Sequence, residues 1–409
     1  MSKIPSICSL SLNHENLDIL LKTGLLSFMY NSKIVFTAAC VCMFTFGMSI
    51  ICLGTILPEV VDKFQVSELA AGGLASILPL GVLIGSLFCG PLADRYGYKG
   101  LLIFCCALVM LGMEGLSFGN SWLIIQFSIF LIGTGGGALN SASSALVADI
   151  SEGERGAKLS TLGIFYGLGA LGMPLIISIL ADYFESFNII AGAGTMVLIV
   201  IVGLLFIRFP VPKQQGGFPI KEGLQLAKNP VLILFGVIMF FQSGLEGLVS
   251  NWTNGFLQET LQIDSQKALM GLTVHMGALT LMRVALGFLL KRFSGVSILG
   301  FCYGTILVGC SILYFSNGYI WSLLSLILLG IGFAGIFPIV LGIIGDKWTT
   351  LSGTAFSVIF VIALLGNMLI NYGMGIISFE ASIIQFPVLL IVCAVAMGGL
   401  LWRARASLY

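Results

Sequence analysis

Ionisable side chains interrupt several of the long apolar stretches of this sequence. Glu246, Arg283 and His275 lie inside such stretches, and Glu114 lies toward the end of another. An ionisable group in a membrane-spanning segment is energetically costly, so it generally faces a cavity and takes part in transport. A carboxylate can carry a proton, a guanidinium can pair with a carboxylate or an anionic ligand, and an imidazole can titrate near neutral pH. These four residues are therefore predicted candidates for coupling transport to an ion gradient.

A second group of polar residues suits a hydroxylated ligand. Gln242, Ser250 and Thr253 recur around Glu246 at spacings of four and seven residues, so a helix presents them as one polar stripe, which we expect to face a cavity. Carboxylates and amides exchange hydrogen bonds with sugar hydroxyls, and an indole can stack on the apolar face of a pyranose. The predicted substrate-binding residues are Asn140, Gln242, Glu246, Asn251, Trp252, Asn254, Asn367 and Asn371.

Each of these roles has a structural alternative. Glu246 can form a hydrogen bond between helices, and Arg283 can pair with Glu246 to tether two helices. Trp252 can belong to the aromatic belt at the membrane surface. Asn367 and Asn371 share one helix face, where their amides can join neighbouring helices. A lone histidine among apolar residues is more often simply hydrogen-bonded, so no proton is assigned to His275.

The composition shows which elements must position these side chains. Of the 409 residues, 58% are hydrophobic and 9% are charged, and the mean hydropathy is +1.07. Soluble domains contain about 25% charged residues, so a soluble fold is excluded. The ten cysteines lie mostly in apolar runs, which excludes a disulfide scaffold. The net charge of +1, with scattered cations, excludes a nucleic-acid-binding face.

Sequence signatures of catalysis are missing as well. The chain has two histidines and no Cys-x-x-Cys pair, so no transition-metal site is predicted. We find no nucleophile and base pair and no phosphate-binding loop, so neither an enzyme nor an ATP-driven pump is predicted, and no cofactor is expected.

Apolar runs of the length that a bilayer requires occur twelve times. A hydrocarbon core of about 30 Å needs roughly 20 apolar residues per helix. The predicted spans lie near residues 34–56, 70–92, 100–118, 122–147, 159–181, 188–208, 230–256, 268–290, 297–315, 319–343, 352–377 and 383–402.

The positions of the basic residues predict the orientation. With the N-terminus inside, nearly all Lys and Arg residues outside the spans fall in cytoplasmic segments. No signal peptide is predicted in residues 1–33. Residues 19–29 are predicted either to form a short amphipathic helix on the membrane surface or to belong to a disordered or misassigned start, with Met29 as the true initiator. The predicted organisation is a cytoplasmic segment 1–33, a six-helix bundle 34–208, a cytoplasmic linker 209–229, a second six-helix bundle 230–402 and a cytoplasmic tail 403–409.

The two predicted bundles are related by an internal repeat. A shift of 197 residues places Arg95 on Arg292 and Asp149 on Asp346, together with several glycines, without a gap. Charged residues at equivalent helix ends are harder to match by chance than glycines. The predicted fold is therefore an all-α membrane protein of two pseudo-symmetric six-helix bundles, a plan that places a substrate site between the halves.

The loop between the second and third spans reads Gly90-Pro-Leu-Ala-Asp-Arg-Tyr-Gly-Tyr-Lys99. It resembles the loop signature of the major facilitator superfamily, and a degenerate copy occupies residues 287–294 of the second half. The resemblance implies the major facilitator fold. It also implies that Asp94 and Arg95 act as gate residues on the cytoplasmic side, with Asp149, Glu154 and Arg155 as partners.

Further stretches, at residues 133–140, 166–174, 244–252 and 335–338, look like the fucose, glucose and galactose symporter group of that superfamily. This resemblance implies sugar uptake coupled to protons or, in some relatives, to sodium. Fucose symporters carry acids in the first and fourth helices, where this chain has Gly54, Thr55 and Asn140. The coupling acid is therefore expected elsewhere, and Glu246 is the first candidate.

The predicted function is secondary active import of a sugar or sugar derivative by cation symport through alternating access. A proton is the expected cation and sodium the alternative. The protein is expected in the plasma (inner) membrane, embedded in the lipid bilayer, with both termini cytoplasmic and an architecture that can work as a monomer. Proton-coupled efflux of a small amphipathic compound and a nontransporting sugar sensor remain the alternative functions.

Overall fold

The computed structural model describes residues 30–66, 68–180, 182–212 and 225–404. The predictions for a surface helix at 19–29, for most of the segment 1–33, for the middle of the linker 209–229 and for residues 405–409 lie outside the described residues.

Twelve helices in the described ranges are long and apolar enough to cross a membrane, as predicted. The described residues contain no β-strand. The helices are α1 (Ser32–Phe64), α2 (Glu68–Tyr96), α3 (Tyr98–Phe118), α4 (Trp122–Asp149), α5 (Arg155–Leu180), α6 (Ser186–Phe206), α7 (Pro230–Glu259), α8 (Ser265–Leu289), α9 (Gly295–Tyr314), α10 (Tyr319–Lys347), α11 (Ser352–Glu380) and α12 (Phe386–Ala404). Single 3₁₀ turns at Thr349–Leu351 and Ile383–Gln385 precede α11 and α12.

Local sequence signals fix where the two halves begin. Asn31 caps α1, with its side chain accepting hydrogen bonds from the backbone amides of the first turn. Asn229 caps α7 in the same way, and Pro230 follows at the first helical position, where a missing N–H costs nothing. Each half thus starts at an asparagine that satisfies amides the helix itself leaves unpaired.

The same helix pairs recur in both halves, which confirms the two pseudo-symmetric bundles. In the first half, α4 packs on α2 and α3, and α1 packs on α5. In the second half, α10 packs on α8 and α9, and α7 packs on α11. The halves meet mainly through α2 with α11 and through α5 with α8 and α10. The inner helices therefore surround an interface that the outer helices α3, α6, α9 and α12 do not reach.

Glycines let α2 and α4 approach closely. Gly81 and Gly85 on α2 face Gly133 and Gly137 on α4, with a spacing of four residues on both helices. A Cβ on Gly81 would lie 2.7 Å from the Phe130 carbonyl oxygen. Small residues at this spacing are what brings helices together in lipid, where burial of apolar surface gives no driving force.

Replacing Gly85 by alanine should destabilise the protein, because the added methyl group meets the backbone of Thr134. Overpacking of this kind costs typically about 1–3 kcal/mol, which outweighs the gain of about 1 kcal/mol in helix propensity. The measurement is the thermal unfolding midpoint of the purified protein in detergent. Gly203→Ala is the matched control, because a Cβ there meets nothing within 4 Å. An equal midpoint in the two variants would contradict the close α2 and α4 contact.

Candidate functional site

A cavity of about 190 Å³ lies between the two halves, where α1, α4 and α5 face α7, α8, α10 and α11. It combines apolar walls with a small set of polar groups, as ligand-binding cavities generally do. The polar residues that line it are Asn140, Ser144, Ser160, Tyr166, Ser243, Glu246 and Arg283. The structure thus brings together three of the residues that the sequence singled out, namely Asn140, Glu246 and Arg283.

Glu246 and Arg283 are the charged residues of this cavity, and both belong to the second half. Among the described residues, no guanidinium nitrogen of Arg283 lies within 4.0 Å of a carboxylate oxygen of Glu246, so the two do not form an ion pair. The Arg283 guanidinium instead crosses to the first half, where Nη1 donates to the carbonyl oxygen of Gly163 at 3.2 Å. Of the two partners that the sequence allows for Arg283, a carboxylate and an anionic ligand, Glu246 forms no ion pair with it in this conformation.

Aromatic rings form the walls of the cavity. Phe46 of α1 and Tyr166 of α5 stack with their ring centres 5.2 Å apart. On the opposite side, Phe337 and Phe360 lie with ring centres 5.6 Å apart. Sequence reasoning did not select the three phenylalanines, because a chain with 30 of them gives no signal that separates cavity-lining from lipid-facing rings.

The polar stripe of α7 does not face the cavity as a whole, which corrects the expectation for Gln242. The Gln242 side chain is fully buried, and its Nε2 donates to the Phe333 carbonyl oxygen of α10 at 3.3 Å. Thr253 is also fully buried. At 3.6 residues per turn, residues four apart differ by about 40° around the helix. The stripe therefore spreads over about 80°, so that Glu246 faces the cavity while Gln242 faces α10.

The predicted amides near the far end of α7 bind each other instead of lining the cavity. The Asn371 Oδ1 of α11 accepts from Asn251 Nδ2 at 3.1 Å and from Trp252 Nε1 at 3.2 Å. Asn371 donates to the Asn367 carbonyl at 2.8 Å, and Asn367 donates to the Ser243 carbonyl at 3.1 Å. This series of contacts, the α7–α11 amide ladder, joins two helices of one half. Asn367 and Asn371 thus join neighbouring helices, as their structural alternative describes, and Trp252 is hydrogen-bonded to Asn371.

Three further predicted residues lie outside the cavity lining. Asn254 accepts a hydrogen bond from Gln258 one turn along α7 at 2.9 Å. His275 is fully buried, with Nδ1 2.9 Å from the Leu326 carbonyl oxygen of α10. Glu114 accepts a hydrogen bond from Thr195 of α6 at 3.1 Å. None of the three can contact a ligand in the cavity between the halves without a rearrangement of these helices.

The halves are joined at the end of the molecule that contains the connection between α2 and α3, here called the gate end. Asp94 is 1% exposed and binds the first turn of α11 in the other half. Its carboxylate accepts from the Gly353 amide at 3.3 Å, from the Thr354 amide at 2.9 Å and from the Thr354 hydroxyl at 2.7 Å. A carboxylate at a helix N-terminus pairs free amides and complements the positive end of the helix dipole.

The other predicted gate residues surround this contact. Asp149 accepts from the Ser352 hydroxyl at 2.7 Å, and Arg155 forms an ion pair with Asp346 of α10. The Arg155 Nε also donates to the Ala148 carbonyl at 2.6 Å. Arg95 lies over the ring of Tyr96 with Cζ 4.9 Å from its centre. Asp149 and Arg155 therefore bind the second half directly, and the two aspartates that the repeat relates, 149 and 346, both take part in the closure.

Removing the Asp94 carboxylate should expose the first turn of α11 to solvent exchange. Hydrogen bonds to charged groups contribute about 1.5–3 kcal/mol, so in Asp94→Ala the amides of Gly353 and Thr354 should exchange roughly tenfold to a hundredfold faster. Hydrogen–deuterium exchange of the intact protein tests this, with the exchange measured after digestion on a peptide that covers residues 350–358. Asp62→Ala, an exposed acid at the end of α1, is the control. Unchanged exchange in Asp94→Ala would show that this contact does not hold the gate end closed.

Comparisons with known proteins agree with this architecture. The Major Facilitator Superfamily model matches residues 39–371. The glucose/mannose transporter GlcP of Bacillus subtilis (strain 168) is 26% identical over 310 residues, which cover 73% of this chain and 76% of GlcP. A variant of the E. coli fucose:proton symporter FucP has a similar structure, with a TM-score of 0.76 at 19% identity over 90% of this chain and 98% of that one. The proton:xylose symporter XylE bound to 6-bromo-6-deoxy-D-glucose gives a TM-score of 0.74 at 14% identity over 91% of this chain and 95% of that one.

The structural likenesses, at this identity, establish the fold. The family model covers most of the chain, including the loop at residues 90–99 and the helices that form the cavity. The chain is an integral membrane protein of twelve helices and belongs to the Major Facilitator Superfamily of transporters.

Proposed function

We propose that this transporter imports a sugar or sugar derivative together with a proton by alternating access. The observation that carries the proposal is the position of Glu246. Glu246 provides an acidic side chain in the cavity between the two halves. A proton and a ligand can therefore be bound together in this cavity while the halves are joined at the gate end. GlcP, FucP and XylE are named as transporters of sugars, which supports the substrate class.

The cavity offers the contacts that a pyranose needs. The amide of Asn140, the hydroxyl of Tyr166 and the carboxyl of Glu246 can exchange hydrogen bonds with sugar hydroxyls. The stacked rings of Phe46 and Tyr166 provide an apolar surface for the ring face of the sugar. Asn140 and Tyr166 belong to the first half and Glu246 to the second, so a bound sugar would contact both halves at once.

Proton coupling follows from the cost of burying a carboxylate. When the cavity closes on both sides, an ionised and unpaired Glu246 loses its water, and protonation removes that cost. Protonation and sugar binding then favour the same closed state, which links the two gradients thermodynamically. The cotransported ion is therefore a proton in this proposal, and sodium is the alternative that the first experiment separates.

Alternating access requires the gate end to open. The contacts of Asp94 with the first turn of α11 and of Arg155 with Asp346 must break together. We place the gate end on the cytoplasmic side, because the basic residues of the sequence concentrate in the segments at this end. Both termini are then cytoplasmic, the described conformation is closed to the cytoplasm, and the membrane is the plasma (inner) membrane.

Uptake into proteoliposomes tests the proposal, with labelled hexoses, deoxyhexoses, amino sugars and sugar acids and with an imposed pH gradient. At least one sugar should accumulate, and a protonophore should abolish the accumulation. Glu246→Gln should abolish accumulation while exchange of sugar across the membrane continues, because the neutral amide imitates the protonated acid. Replacement of sodium by potassium should have no effect.

Glu114→Gln is the matched control, because this acid lies in a span but contacts α6 instead of the cavity. It should retain accumulation. Proton-driven accumulation that survives Glu246→Gln would move the coupling to another residue, and accumulation that needs sodium would replace the proton. Uptake of none of these compounds would contradict sugar import itself.

A further inference from the structure

Helix α5 of the opposite half holds Arg283 in position in two ways. The Ser160 hydroxyl donates to the Arg283 carbonyl oxygen at 2.8 Å, and the guanidinium Nη1 donates to the Gly163 carbonyl at 3.2 Å. A Cβ on Gly163 would lie 3.1 Å from Nη1 and 3.2 Å from Cζ, so the guanidinium rests directly on the α5 backbone. Both the backbone and the side chain of Arg283 are therefore fixed before a ligand arrives.

The contact with Gly163 leaves one edge of the guanidinium without a partner. Nη1 lies on the same side as Cδ, whereas Nε and Nη2 form the other edge, whose two N–H groups point in parallel. Nε is buried and has no hydrogen-bond partner among the described residues, and none of the described hydrogen bonds uses Nη2. Two parallel N–H donors match the two oxygens of a carboxylate. A buried donor without a partner is costly, so a ligand that supplies one is favoured.

The charge balance of the cavity points to the same ligand. Glu246 and Arg283 are its charged residues, so the empty cavity is neutral when Glu246 is ionised. If Glu246 takes up a proton and the substrate is neutral, the loaded cavity carries the uncompensated charge of Arg283 through the closed state. If the substrate carries one negative charge, the loaded cavity is neutral again. Moving an unpaired charge into a low-dielectric interior is strongly unfavourable.

We infer that the substrate is an acidic sugar, a monocarboxylate of the hexuronate or aldonate type, whose carboxylate binds the Nε and Nη2 edge of Arg283. Its hydroxyls bind Asn140, Tyr166 and the protonated Glu246. One proton and one monoanion enter together, so the transport cycle moves no net charge. This inference rests on the proposed sugar:proton symport and specifies the substrate of the same cavity.

Uptake into proteoliposomes with a constant pH gradient tests the inference. Potassium and valinomycin set the membrane potential either to zero or to a negative value inside. Two groups of compounds are compared. The acids are D-glucuronate, D-galacturonate and D-gluconate, and the neutral sugars are D-glucose, D-galactose and L-fucose. At least one acid should enter ten times faster than any neutral hexose. Its initial rate should change less than twofold between the two potentials.

Two variants, Arg283→Lys and Gly163→Ala, test the role of Arg283 itself, and each has a control variant. Arg283→Lys keeps the charge but loses the fork of donors, so the KM for the acid should rise at least tenfold while the rate at saturation falls less. Arg292→Lys, an exposed residue outside the cavity, should leave KM unchanged. Gly163→Ala should also raise KM, because the methyl group displaces the guanidinium. Gly167→Ala one turn further should not, since its nearest contact is 3.9 Å away.

The outcomes separate this inference from the proposed function. Uptake of a neutral hexose that is accelerated by a negative interior, at a rate within tenfold of any acid, would overturn the acidic substrate and keep sugar:proton symport. An unchanged KM in Arg283→Lys, with the protein folded and active, would overturn the role of the guanidinium. Uptake of none of the six compounds would overturn the acidic substrate, whereas sugar import itself is overturned only if the wider panel of the proteoliposome experiment above also fails.

Discussion

The helices of this protein lie in a medium that does not drive them together. Lipid tails are as apolar as the leucine and phenylalanine side chains that face them, so helix association depends on close backbone contact and on buried hydrogen bonds. The glycines between α2 and α4 supply the first kind of contact, and the α7–α11 amide ladder supplies the second. Each half is therefore held together by contacts that do not involve the other half.

At the gate end the halves are joined by contacts of a different kind, because side-chain hydrogen bonds to a helix N-terminus and an ion pair link them there. A carboxylate on a helix N-terminus and an ion pair at the membrane edge can exchange their partners for water when the gate end opens. Burial does not distinguish the two sets of contacts, because Asp94 at the gate end is 1% exposed whereas Asn251 of the α7–α11 amide ladder is exposed.

Arg283 is the exception, because it belongs to the second half but rests on the backbone of the first. Its contact with Gly163 lies at the cavity, so anything that draws the guanidinium away from α5 also loosens the interface between the halves. In the proposed mechanism, a ligand that binds this residue acts on a side chain that also contacts the other half. Of the two charged residues that line the cavity, Arg283 is the one with a described hydrogen bond across the interface.

The sequence by itself determined the twelve helices, the repeat and the candidates Glu246 and Arg283, since hydropathy and the cost of an intramembrane charge act on each segment separately. It could not decide which amides line the cavity. Asn140 and Asn371 look alike in the sequence, yet one faces the cavity and the other joins α7 to α11. It also allowed Arg283 to pair with Glu246 or with an anionic ligand, whereas in the structure the guanidinium donates to the Gly163 carbonyl. The tertiary structure decided these points, because the rotation of each helix about its axis is set by packing against its neighbours, and a turn of some tens of degrees moves a side chain from the cavity into a helix interface.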